Sequence, residues 1–248
     1  MSDIDPEVLA QAKRDYGENC ELVKLTEWSY QFKCGEKSFC RISRFIAEKG
    51  FAVSASEIRR RWPAMDHRER IDFACNFQAK ETWTTNDDEI LDVIMSDGDD
   101  DIWSGCALGM LRHSNRNRVV EFLIERIGLN ESGHAPLNYI QALGLAGDRR
   151  ATEVIRPYYD KFSKAMEAEA VSGIPDDIYW GPIPYFSFLC VAADLFRIEG
   201  AKEYEQAIKR YFDHSNEQVR WWAEHALDFK GPTTLKRNAE YARTGRFP

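Results

Sequence analysis

From Thr85 onward, apolar residues recur at intervals of three and four, the period of a helix with one face to bury. Ala151, Val154, Ile155, Tyr158 and Phe162 form one such stripe, and Tyr204, Ala207, Ile208, Tyr211 and Phe212 form another. The pattern predicts eight helices, at about 86–95, 99–112, 116–127, 134–146, 149–168, 183–198, 201–213 and 216–229. No segment there alternates as a strand would. The first 84 residues read differently. Trp28, Tyr30, Phe32 and Cys34 alternate with polar residues, Gly35-Glu36-Lys37 supplies turn chemistry, and Phe39-Cys40-Arg41-Ile42 resumes the apolar pattern. A β-hairpin is expected there. Ser54 with Glu57, and Asp66 with Glu69, have capping-box spacing, so helices should begin near 55 and 67.

The ends of alternate helices resemble one another: Ala107-Leu108-Gly109-Met110-Leu111, Ala142-Leu143-Gly144-Leu145, Ala193-Asp194-Leu195-Phe196 and Ala226-Leu227-Asp228-Phe229. Their alanines are 35, 51 and 33 residues apart. The long middle step matches a Pro/Gly/aromatic stretch, IPDDIYWGPIPY, at 174–185. Four helical hairpins with an insertion in the third account for all three spacings.

These residues resemble the HEAT-like repeat family, in its short form shared with PBS-lyase-type repeats, over about residues 85–231. Asp213-His214-Ser215-Asn216-Glu217-Gln218-Val219-Arg220 looks like that family's turn with an aspartate and a following Val-Arg pair. Leu143-Gly144-Leu145-Ala146-Gly147-Asp148 looks like the passage between repeats, and Pro157 resembles the prolines that kink first helices. The resemblance implies a mainly α protein, a right-handed α-α superhelix of about four hairpins, with a small N-terminal α+β region bearing the hairpin. The expected domains are therefore 1–84, the repeats at 85–231 with an insertion at about 164–184, and a basic tail at 232–248. Arrays of this kind are mostly surfaces for partners.

Composition narrows the function. The chain has 248 residues, 44% hydrophobic and 30% charged, an ordinary balance for a soluble protein. No apolar run approaches the roughly 20 residues a spanning helix needs, and the first residues lack a secretory pattern. A cytoplasmic protein without a membrane partner is expected. Six cysteines show no CxxC spacing, which favours reduced thiols over disulfides or zinc. The net charge of −8 is uneven: residues 1–84 are neutral, 85–229 carry −12 and 230–248 carry +4. An acidic array repels phosphate backbones and draws a basic partner inward.

Specific chemistry is sparse. An EF-hand starting at Asp97 requires Gly at 102 and an acid at 108, where the chain has Ile102 and Leu108; helix capping explains Asp97 to Asp101 more simply. The Arg59-Arg60-Arg61-Trp62 cluster points in several directions on one short helix and reads as solvated surface. The five histidines have no metal-ligand spacing, and no phosphate-loop or nucleophile motif occurs. No catalytic residue, metal or cofactor is assigned.

The partner-binding residues are instead expected on two features. On the last helix Val219, Trp222, Ala223, Ala226 and Leu227 share one arc, leaving Trp221, Glu224 and His225 opposite. In the insertion, Asp176, Asp177, Tyr179 and Trp180 join acidic and aromatic groups on a proline-stiffened loop. The expected function is a noncatalytic scaffold that binds a basic protein, for instance an inhibitor or immunity-type antidote. The alternative implied by the family is an alkylpurine DNA glycosylase-like enzyme using Trp103, Trp180, Trp221 and one of Asp99 to Asp101. The acidic charge weighs against nucleic acid.

Overall fold

The structure is a computed structural model. It describes residues 20–26, 29–34, 37–39, 53–78, 83–129, 135–172 and 183–228, with a few isolated positions before residue 20. Asp176, Asp177, Tyr179 and Trp180 of the insertion, Cys40 and the basic tail lie outside the described residues.

Three strands, β1 (Cys20–Thr26), β2 (Ser29–Cys34) and β3 (Lys37–Phe39), pair antiparallel in that order. In the backbone register Leu22 is paired with Phe32 between β1 and β2, and Phe32 with Phe39 between β2 and β3. Ten α-helices follow among the described residues. They are α1 (Ala55–Arg61), α2 (His67–Phe77), α3 (Thr85–Met95), α4 (Asp100–Met110), α5 (Arg116–Leu129), α6 (Ala135–Ala146), α7 (Thr152–Ser172), α8 (Ile183–Glu199), α9 (Lys202–Lys209) and α10 (Glu217–Ala226). All eight helices expected beyond Thr85 are present, α9 ending several residues earlier than its pattern implied. The described residues are mostly helical.

Local chemistry starts and stops these helices. Ser54 Oγ accepts from the Glu57 amide at the head of α1. Asp66 and Glu69 form both halves of a capping box before α2, at 2.8 and 3.1 Å. The Asp87 carboxylate closes another box on Thr84 ahead of α3. Asp99, Asn115 and Asn216 accept first-turn amides of α4, α5 and α10. At the other ends, Gly147 after α6 and Gly200 after α8 take φ of 67° and 70°, and each amide reaches back to a carbonyl four residues earlier. That left-handed stop is readily available only to glycine.

The chain divides into two compact units. The first comprises the described residues up to Ser114, and the second runs over Asn115–Gly231. The division falls beyond α4, so α3 and α4 belong with α1 and α2. In the first unit α1 packs on α3 and α2 on α4. Phe73, Phe77, Ile58, Ile90, Leu91, Ile94, Ile102 and Met110 are fully buried there. An aromatic run, Trp62–Phe73–Phe77–Trp83, has successive ring centroids 5.8, 5.7 and 5.1 Å apart. Gly105 and Gly109 let α4 approach α2: a Cβ on Gly109 would stand 2.7 Å from the Gln78 backbone.

In the second unit α8 is central and packs on α6, α7, α9 and α10. Its core joins Phe188, Leu189, Ala192 and Ala193 of α8 to Ala207 and Ile208 of α9 and to Val219 and Ala223 of α10. Tyr185, Phe188, Tyr159, Tyr204 and Tyr211 stack edge-on or tilted around that core.

The glycine at the repeated helix ends is thus a packing requirement, and substitution should separate close approach from helix propensity. Gly109→Ala should destabilise by about 1–3 kcal/mol, because the added methyl meets backbone. Gly128→Ala, near the end of α5 with nothing within 4 Å, should be neutral or stabilise by about 0.5 kcal/mol. Denaturant midpoints at constant slope give both values.

Candidate functional site

The residues expected to bind on the last helix lie where its two faces separate. Val219 and Ala223 of α10 are fully buried, and Trp222 packs against the same core, its ring centroid 5.0 Å from that of Phe186. On the other side Glu224 is exposed, while Trp221 and His225 are half-buried. The indole of Trp221 and the imidazole of His225 stack, 4.4 Å apart and 20° from parallel. His225 Nδ1 donates to the Trp221 carbonyl at 2.7 Å, which orients the imidazole against the indole. Two rings held by stacking and a backbone bond lose little rotamer freedom on contact, the property that makes aromatic anchors effective. The structure therefore brings Trp221, Glu224 and His225 together on one side of α10.

The first unit gives the acidic run a role that composition could not disclose. Eight acidic residues fall between Asp87 and Asp101 with no basic residue among them. Asp87 is buried in its capping box. Asp88 accepts from Trp83 Nε1 at 2.9 Å and from the Ser114 amide; burial opposes ionisation, but these bonds hold its carboxyl below the ordinary value. Asp97, whose side chain is only 7% exposed, accepts from Trp62 Nε1 at 2.7 Å and from Arg70 Nη1 at 3.1 Å. Asp92 lies 3.4 Å from His113, and Asp99 caps α4. Most of this run consists of acceptors built into the unit; Glu89 and Asp101 are the exposed members. The charge available for steering is correspondingly smaller.

Two other sequence features prove to be core. Trp62, beside the three arginines, is 6% exposed and tied to Asp97, while Arg59 and Arg60 reach solvent. Trp103, named for the glycosylase alternative, is 5% exposed and donates from Nε1 to the Ile94 carbonyl. Neither indole offers a stacking platform. Among the described residues one group has metal-ligand spacing: His67, Asp99 and Asp101, with ligand atoms within 4.8 Å. His67 Nδ1 is 2.9 Å from Asp99 Oδ2, and the other Asp99 oxygen is occupied by the helix cap. Cys75, Cys106 and Cys190 are not in disulfides. Burial pushes Cys75 up to about 11 and Cys106 higher still, so neither is a nucleophile at neutral pH.

One feature escaped the sequence reading altogether. Asp194 of α8 is fully buried, with its side chain against Gly144 of α6, where any Cβ would overlap the carboxylate. Its Oδ1 accepts from Arg197 Nη1 at 2.6 Å, and Arg197 Nη2 donates to the carbonyl of Ala226 at the end of α10. Burial raises the carboxyl to about 7, although Arg197 pulls it down. The available signal was an aspartate standing in an apolar helical repeat, Ala193-Asp194-Leu195, three residues before an arginine.

Two measurements check these assignments. Trp222→Ala should cost about 2–4 kcal/mol in denaturant unfolding, and Trp221→Ala less than about 1. Asp97→Ala should cost about 3 kcal/mol by stranding Trp62 and Arg70, against about 0.5 or less for exposed Asp101→Ala. Among the described residues no helix is long and apolar enough to cross a membrane. No protein family, curated protein or solved structure matches the chain.

Proposed function

We propose that the protein is a noncatalytic helical-repeat binding module that engages a basic protein through Trp221, Glu224 and His225 of α10, together with Asp176, Asp177, Tyr179 and Trp180 of the insertion. The observation that carries this reading is the division of adjacent tryptophans, Trp222 into the core and Trp221 onto a stacked, half-buried pair beside exposed Glu224. A ring so placed contributes little to its own core and is ready to cover a partner's apolar surface. Glu224 supplies negative charge on the same side of α10, and the sequence of the insertion carries two further aspartates.

The HEAT-like reading draws support from the order of contacts. Within the second unit, helices meet their sequence neighbour, as in α5 with α6, α7 with α8 and α9 with α10, or the next but one, as in α6 with α8 and α8 with α10. Such nearest-neighbour stacking is the organisation of a solenoid. Next-but-one contacts also pair α1 with α3 and α2 with α4 in the first unit. A cytoplasmic inhibitor or immunity-type antidote is one concrete form of this function. The glycosylase alternative is weakened because Trp103 and Asp99 are already engaged within the first unit.

The test is quantitative capture from the source cell with the full chain. One protein of basic isoelectric point should be retained in proportion to bait, with retention falling at least about tenfold for Trp221→Ala or for Trp180→Ala. Unchanged retention by both variants would reject these surfaces. Salt-sensitive binding of duplex DNA by the wild-type chain at low ionic strength would reject the noncatalytic reading in favour of the repair enzyme.

A further inference from the structure

We propose that Asp194, Arg197 and the Ala226 carbonyl form a proton-operated clasp that holds the C-terminal end of α10 in mildly alkaline solution and loosens it on acidification. The clasp joins three helices. Asp194 leaves α8 where Gly144 of α6 provides the necessary space, and its Oδ1 accepts from Arg197. Arg197, one helical turn further along α8, spends its second terminal nitrogen on Ala226, the last residue of α10. The carbonyls at a helix end have no partner within the helix, so a guanidinium there satisfies an acceptor and opposes the negative end of the dipole.

The geometry also provides a route for opening. Asp194 Oδ2 is buried without a hydrogen-bond partner, so a proton can settle there without displacing an existing bond. Arg197 is 17% exposed at its side chain, and it can turn towards water without separating α8 from α6. Of the charges nearby, Arg197 is the one that acts on Asp194. Groups on the elements around α8 are directed elsewhere. Arg156 of α7 and Tyr204 of α9 contact Glu199, and Arg150 contacts Asp148 and Glu121. On α10, Arg220 binds the His214 and Ser215 carbonyls, and His225 binds the Trp221 carbonyl. From α6, Gln141 donates to Cys190.

Two linkages then run in opposite directions. Burial raises the folded carboxyl to about 7, above its unfolded value of about 4, so folding takes up a proton between those values. The contribution to global stability is greatest below the unfolded value and is lost as pH rises towards 7. Pairing with Arg197 acts the other way, because it favours the ionised carboxylate; protonation must therefore weaken the pair. Acidification should raise global stability while releasing the end of α10. Nonspecific acid loosening cannot produce that combination.

Amide hydrogen exchange on the full chain at pH 8 and pH 5.5, corrected for the intrinsic exchange rates, tests the clasp. Protection of residues 223–228 should fall at least about fivefold at pH 5.5 relative to amides of α5 and α6, while the denaturant midpoint rises. Asp194→Asn should show the lower protection at both values and a flattened dependence of midpoint on pH. Should that variant fail to fold, Arg197→Gln should give the same low, pH-independent protection at the end of α10. Equal protection of residues 223–228 at the two pH values in the wild type would overturn the proposal. So would the same acid-induced fall in wild type and whichever variant folds.

Discussion

A single buried carboxylate sets the terms on which the second unit packs. Asp194 occupies space that exists only because residue 144 has no side chain, and its charge is answered by Arg197 of the same helix. An apolar residue at 194 would remove the desolvation cost, yet it would leave the Arg197 charge without its carboxylate. Arg197 carries the constraint onward to the final carbonyl of α10. The end of α10 is thus held to α8 by a polar contact beside the apolar packing of Val219 and Ala223.

The first unit solves a related problem with a different balance. Its aromatic run leaves indole N–H groups inside the structure, and carboxylates on or beside α3 satisfy them: Asp97 serves Trp62 and Asp88 serves Trp83. The acidity of this segment therefore belongs first to folding. Recognition by charge is left to fewer residues, among them Glu224, and this makes the aromatic pair on α10 the more distinctive element of the proposed surface.

Helices, caps and the Trp221/Trp222 division were legible because each depends on local spacing. Asp66 with Glu69 is a four-residue signal, and the two faces of α10 follow from 100° per residue. The recurring Ala-Leu-Gly ends were legible as a pattern, though their cause was not. Gly109 admits the backbone of Gln78 just past α2 and Gly144 admits Asp194, contacts separated by 31 and 50 positions in the chain. The fate of each acidic residue was hidden for the same reason, since a count of charges cannot distinguish an acceptor under an indole from one in water. The grouping of α3 and α4 with α1 and α2 was hidden too. α1 is only seven residues long and ends beside Pro63, too short to register as half of a repeat.

Direct titration of the Asp194 carboxyl carbon by NMR, in the full chain labelled at aspartate, tests the central arrangement. A buried carboxylate against Gly144 beside Arg197 should titrate with a midpoint near 7. A midpoint near 4, the ordinary range of a solvated aspartate, would contradict the buried arrangement of Asp194 and the clasp built on it.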